Sequence, residues 1–183
     1  MQTHNTSNTR RIALFSVMAS LCVVIQVLPR PPGLEFTSLI TFTMGVVFGC
    51  VFGASLGAAV MLVNAFLSPY GFGHMNVFFQ MAGMGVIGLI GGLYKMENDG
   101  TVRFFAETAV LGAFLTFVYY LITNVGFALY LVLFLSKVSL LEALALAQVT
   151  GAFFTLTYVI TNTLIFGVGT VPLVSSMRKL LRR

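Results

Sequence analysis

The sequence predicts an all-α integral membrane protein, a bundle of six transmembrane helices with both termini on the cytoplasmic side. Three observations carry this expectation. Of 183 residues, 58% are hydrophobic and 8% are charged, where a soluble domain carries about a quarter charged. The apolar residues gather into runs near 20 residues, about the length a helix needs to cross roughly 30 Å of hydrocarbon. The ten basic residues are also divided unevenly between the loops. Water would not cover so much apolar surface, so the expected solvent is lipid, where backbone groups must be satisfied within the fold.

The first run covers 12–28 and stops at PRPPG, 29–33, which breaks a helix. It lacks a small-residue cleavage site and reads as a retained helix rather than a signal peptide. The stretch 36–67 is too long for one crossing and a little short for two. Dividing it near 49–53 gives two short, tightly linked helices. A loop with Pro69, Gly71 and Gly73 leads to a fourth helix over 76–94, which KMENDGTVR (95–103) ends. The fifth covers 104–135 and is long enough to tilt or to break near 124–126. The sixth is expected from Gln148 to about Pro172. Residues 1–10 read as a disordered cytoplasmic tail, 11–177 as the membrane domain and 178–183 as a basic cytoplasmic tail.

Charge tests the count. Six crossings place Arg10, Arg11, Lys95, Arg103, Arg178, Lys179, Arg182 and Arg183 on one side, leaving Arg30 and Lys137 on the other. That is the positive-inside bias of a protein with cytoplasmic termini, whereas five or seven spans would separate the basic ends. The net charge of +5 therefore reports topology and gives no support to nucleic-acid binding. Cys22 and Cys50 lie in apolar runs and read as small core residues.

Intramembrane polar groups are costly, so their location is informative. With this topology many fall toward the outer face: Gln26, Glu35, Thr41, Asn64, Tyr70, His74, Asn76, Gln80, Tyr120, Thr123, Asn124 and Gln148, with Thr155 and Tyr158 behind them. The inner halves are plainer, apart from Glu107 and Asn162. Taken singly, these residues read as helix caps, interfacial anchors or interhelical bonds. Taken as a set, they favour a pocket open to the outside.

Glycines form a second pattern. Gly45, Gly49, Gly53 and Gly57 recur every four residues, and Gly85, Gly88, Gly91 and Gly92 line the fourth helix. Such residues let helices approach closely within the chain. The first helix carries a small-residue stripe, Ala13, Ser16, Ala19 and Ser20, suited to packing in the bundle or to docking a partner helix. There is no Walker A loop, HExxH or GxSxG, and His4 and His74 form no metal site. The chain is therefore not expected to be an enzyme or to carry a cofactor, and a transporter of this kind would need a partner to supply energy.

Three stretches, FTSLITFTMGVVFGCVFGASLGAAVMLVNAFLSPYGF (36–72), FVYYLITNVGFAL (117–129) and TYVITNTLIFGVGTVPLV (157–174), together resemble the substrate-binding S components of energy-coupling factor (ECF) transporters. The resemblance covers most of residues 10–180. Many members have proline where Cys50 stands, often aspartate where Tyr120 stands, and an alanine pair that Ser16 and Ser20 only approximate. The resemblance implies capture of a vitamin-like micronutrient near the outer face of the plasma membrane. A transmembrane scaffold subunit and two cytoplasmic ATPase subunits would supply the energy, and the S component would reorient within the bilayer. It implies that Thr123 and Asn124 face the pocket, with Asn162 deeper in the sixth helix. Segments 29–36 and 68–76 would serve as lids, and Ala13, Ser16 and Ser20 would dock on the scaffold. The alternative reading is a structural, scaffolding membrane protein resembling small cell-shape factors, with no small-molecule ligand.

Overall fold

A computed structural model of the chain describes residues 3–29, 31, 33–67, 76–94, 102–135 and 138–182. Among them the regular structure is entirely α-helical: α1 Thr3–Val27, α2 Thr37–Phe48, α3 Cys50–Leu67, α4 Asn76–Leu93, α5 Val102–Leu135 and α6 Leu140–Arg182. Five of these helices are long and apolar enough to cross a membrane. The exception is α2, whose 12 residues reach about 18 Å at 1.5 Å per residue, short of the roughly 30 Å of hydrocarbon.

The long run 36–67 divides where expected. α2 and α3 are joined through the single residue Gly49, whose φ of +98° lies in the left-handed region that favours glycine. The two helices fold back on each other about this residue. A Cβ added at Gly53 would lie 2.6 Å from the Gly45 Cα, so the helices touch backbone to backbone. α4 closes on this hairpin through its own glycines. Gly88 meets the Gly53 backbone, Gly91 meets Phe42 and Gly92 meets Cys50, each closer than the 3.0 Å that a real Cβ tolerates. Of the four glycines spaced by four, Gly45, Gly53 and Gly57 thus serve packing within the chain, as expected where lipid provides no hydrophobic drive between helices, while Gly49 makes the break.

α2 is the centre of the bundle. Every residue from Thr37 to Gly45 is buried, because α1, α3, α4 and α6 all pack around it. Phe42 packs on Phe166 of α6 with ring centroids 5.4 Å apart, and Met44, Leu56, Met84 and Ile87 complete this core. α1 is peripheral. It turns Cys22 inward, sets Phe15 edge-on to Phe52 at 5.1 Å, and leaves Ala13, Ser16 and Ser20 exposed.

α5 and α6 form a long antiparallel pair. Gly112 faces Phe166, Asn162 Nδ2 donates to Thr116 Oγ1 at 3.0 Å, and Asn124 Nδ2 donates to Gln148 Oε1 at 2.9 Å. The pair outruns α4: Gly126 lies beside Asn76 and Phe79 in the first turn of α4. Beyond that level α5 and α6 continue, packed on a small second cluster of Ala128, Leu131, Ala143 and Ala147.

Of the two readings left open for 104–135, the unbroken one holds: α5 is one helix through 124–126, with Gly126 used for close approach to α4. The expected bounds of the sixth helix are corrected. α6 begins at Leu140, eight residues before Gln148, and continues past Pro172 to Arg182. Its start is a capping box. Ser139 Oγ accepts from the Glu142 N–H at 3.3 Å, and Glu142 Oε2 accepts from the Ser139 N–H at 2.9 Å. Pro172 lies on an exposed face of the helix, and its missing N–H costs a single backbone bond. Helix also extends into the tails expected at 1–10 and 178–183, since α1 starts at Thr3 and α6 ends at Arg182. Replacing Ser139 with Ala should cost about 1 kcal/mol of local stability. The check is hydrogen exchange, which should speed up in the first turn of α6 and stay unchanged around Thr161.

Candidate functional site

A cavity of about 340 Å³ opens between the first turn of α4, the middle of α5 and the facing part of α6. α4 contributes Asn76 and Gln80. α5 presents one helical face, with Tyr119, Tyr120, Thr123, Asn124 and Phe127 at helical spacing. α6 answers with Gly151, Phe154 and Tyr158. Five of the twelve outer polar positions considered from the sequence therefore converge on one concavity, namely Asn76, Gln80, Tyr120, Thr123 and Asn124.

Two glycines shape it. Gly151 leaves room for the Asn124 amide, whose atoms lie 3.0 Å and 3.1 Å from where a Cβ would stand. Gly126 lets Asn76 and Phe79 close against α5. Gln148 is not a lining residue, but its oxygen accepts the bond that orients Asn124. The walls are aromatic. Tyr119 meets Tyr120 edge-on at 5.4 Å, and Tyr120 lies against Tyr158 at 5.3 Å. The Tyr119 hydroxyl turns away toward Met61 Sδ at 3.8 Å.

The segment ahead of α2 is fastened beside these tyrosines. Gly33, with φ of +90°, accepts a bond on its carbonyl from Thr161 Oγ1 and packs on Thr157. These two threonines flank Tyr158 on α6. Two residues on, Glu35 is buried, and Gln26 Nε2 donates both to Glu35 Oε1 at 3.0 Å and to Thr37 Oγ1 at 3.1 Å. Glu35 is not among the residues that line the cavity.

Two other sequence candidates lie elsewhere. Thr41 is fully buried in α2, since that helix is enclosed by the bundle. Asn64, near the end of α3, is half-buried and does not line the cavity. Tyr70 and His74 fall outside the described residues, as do Arg30 and most of the proposed lid 68–76. Asn162 is buried against Thr116, which gives it a helix–helix bond. Sequence reasoning passed over Tyr119, Phe127, Gly151 and Phe154. The signal was available, because 120, 123, 124 and 127 share one helical face and so do 151, 154 and 158.

A larger groove of about 750 Å³ lies between the end of α4 and the start of α5. It is almost wholly apolar, with Ile90, Val110 and Phe114 among its walls, and its polar feature is the Tyr94 hydroxyl donating to Glu107 Oε2 at 3.5 Å. Such a groove suits hydrocarbon chains. The smaller cavity has the convergent polar groups that orient a small molecule. No protein-family model matches the chain, and neither a curated protein nor a solved structure matches it.

Proposed function

We propose that this chain is the substrate-capture subunit of an ATP-driven importer of the energy-coupling factor type. It binds a vitamin-like micronutrient near the outer face of the plasma membrane. It then delivers the molecule inward by reorienting in the bilayer with a transmembrane scaffold subunit and two cytoplasmic ATPase subunits. The observation that carries this reading is the aromatic-walled cavity that gathers Asn76, Gln80, Tyr120, Thr123 and Asn124, joined to the resemblance of three segments to S components.

In this reading α2, together with the segment 33–36 ahead of it, makes the second of six crossings, and both termini are cytoplasmic by the positive-inside rule. The chain itself performs no catalysis. ATP hydrolysis belongs to the partner subunits, and their docking face is the exposed stripe Ala13, Ser16 and Ser20 on α1.

The test is affinity purification of the tagged chain from its native membranes, followed by mass spectrometry of the proteins that accompany it. Recovery of a membrane scaffold with two ATPase subunits is the expected result. Recovery of cell-envelope assembly proteins without an ATPase would replace this reading with the scaffolding one. Ser20→Trp, at an exposed position on α1, is expected to reduce co-purification of the partners at least about tenfold. Monodispersity and melting temperature of the isolated chain should stay at wild-type values. Undiminished co-purification would remove α1 as the docking face.

A further inference from the structure

We infer that the cavity between α4, α5 and α6 takes a flat nitrogen heterocycle with a lactam edge, a ring N–H beside a ring carbonyl. The inference rests on the capture reading above and adds to it the chemical class of the molecule captured.

The edge is matched by three amides. Asn76 and Gln80 stand about one turn apart on α4 and share a face, and Asn124 comes from α5. A side-chain amide holds a carbonyl acceptor beside an N–H donor. Its full match is a partner with the same two groups side by side, so that two bonds close at once, as when Asn or Gln reads the edge of adenine. Much of this capacity is unspent within the fold. Asn76 Oδ1 is buried without a hydrogen-bond partner, a cost that a turn of the amide toward a donor in the cavity would recover. No hydrogen bond joins the Gln80 side chain to another described residue. Asn124 spends one N–H on Gln148 at 2.9 Å, which fixes the plane of its amide and leaves its carbonyl oxygen and second N–H. Thr123, by contrast, donates its hydroxyl to the Tyr120 carbonyl of its own helix at 3.2 Å. The described lining residues include no Lys, Arg, His, Asp or Glu, so recognition there runs through amides and rings.

Flatness comes from the walls. Five of the ten lining residues are aromatic. The Tyr120 and Tyr158 rings lie 5.3 Å apart at an angle of 39°, so their faces form a corner rather than a closed stack. A planar ring lies against such faces with favourable stacking geometry. The volume of about 340 Å³ is near the lower end of the ~300–1,000 Å³ that ligand pockets span, which suits one or two fused rings.

The experiment is isothermal titration calorimetry on the full chain in lipid nanodiscs, with empty nanodiscs subtracted, and uses three neutral probes. Isocarbostyril has two flat rings and a lactam edge. N-methylisocarbostyril keeps the rings and the carbonyl but loses the N–H. δ-Valerolactam keeps the edge without an aromatic ring. Isocarbostyril is expected to bind about tenfold or more tightly than either of the others. In Gln80→Met, in Asn124→Ala or in both, its preference over the N-methyl compound should fall to about threefold or less, because the amide that reads the edge is gone. That loss separates edge reading from simple crowding by the methyl group, which would persist in both variants.

Equal binding of isocarbostyril and N-methylisocarbostyril, a preference unchanged in both variants, or no heat from any probe at millimolar concentration would each overturn the inference. Mass spectrometry of small molecules released on denaturing wild-type and Asn124→Ala protein then separates this from failure of the capture reading. A molecule without a lactam edge retained by wild type alone leaves capture standing and removes the assigned class. No molecule enriched on wild type removes both.

Discussion

Gly88→Leu is expected to abolish a monodisperse folded species in detergent. Gly85→Ala, about one turn earlier on α4, should melt at or slightly above the wild-type temperature. At Gly88 an added Cβ would run into the backbone of Gly53 and Ala54, and backbone cannot rotate aside as a side chain does. Even the single methyl of Gly88→Ala should cost about 1–3 kcal/mol, the usual range for overpacking a close contact. A leucine would force α4 off the α2–α3 hairpin altogether. At Gly85 the nearest atom to an added Cβ is the Ala54 carbonyl oxygen at 3.7 Å, an ordinary contact, so alanine there reduces only the backbone freedom of the unfolded chain. Size-exclusion profiles and melting curves of the two variants side by side provide the check. Equal behaviour of Gly88→Leu and wild type would mean that the α2–α3–α4 contact is not as close as described.

On the proposed capture reading, Asn124→Ala should weaken ligand binding by roughly five- to a hundredfold while lowering the melting temperature by only a few degrees. The variant removes a lining amide and leaves the half-buried Gln148 amide without the 2.9 Å bond it now accepts. Loss of one such group costs about 1–3 kcal/mol of interaction, which converts to the stated range. Gln148→Ala should have a smaller effect of the same sign, since Gln148 orients Asn124 without lining the cavity. The measurement is retention of native small molecules through purification, quantified against wild type alongside a melting curve. A large fall in melting temperature with undiminished retention would make Asn124 a packing residue, as its counterpart Asn162 is against Thr116.

Much of the architecture follows from features that are local in the chain. Hydropathy placed the helices, and the four-residue glycine spacing pointed to helix contacts. Gly49 broke 36–67 near the middle, because a left-handed residue interrupts a helix regardless of its surroundings. The misreadings and open choices came where local signals compete. Pro172 read as a place to stop a helix, and Gly126 left a break open as one of two alternatives. In the fold, one lies on an exposed face where a single lost backbone bond is tolerated, and the other is used for close approach to α4. The start of α6 was legible in Ser139 and Glu142, spaced as a capping box, but the stronger apolar run downstream masked it.

The candidate site divides in a similar way. Asn76, Gln80, Tyr120, Thr123 and Asn124 stood out because polar side chains are expensive inside an apolar helix. That same cost selects Thr41 and Asn64, and nothing in the sequence says that α2 is enclosed on all sides while α5 and α6 open toward the first turn of α4. The aromatic walls carried no such cost. Among 24 phenylalanines and tyrosines, only the crossing of three helices picks out the few that meet. By itself, then, the sequence determined helix number and approximate extent, the apolar character of the chain and the small residues at helix contacts. These depend on interactions a few residues apart. The tertiary structure decided which helix is central, that Glu35 is bonded by Gln26 on α1 while Gly33 is bonded by Thr161 on α6, and which polar groups share a cavity. Those outcomes depend on the direction each helix face points once distant segments have packed, and local pattern does not encode that direction.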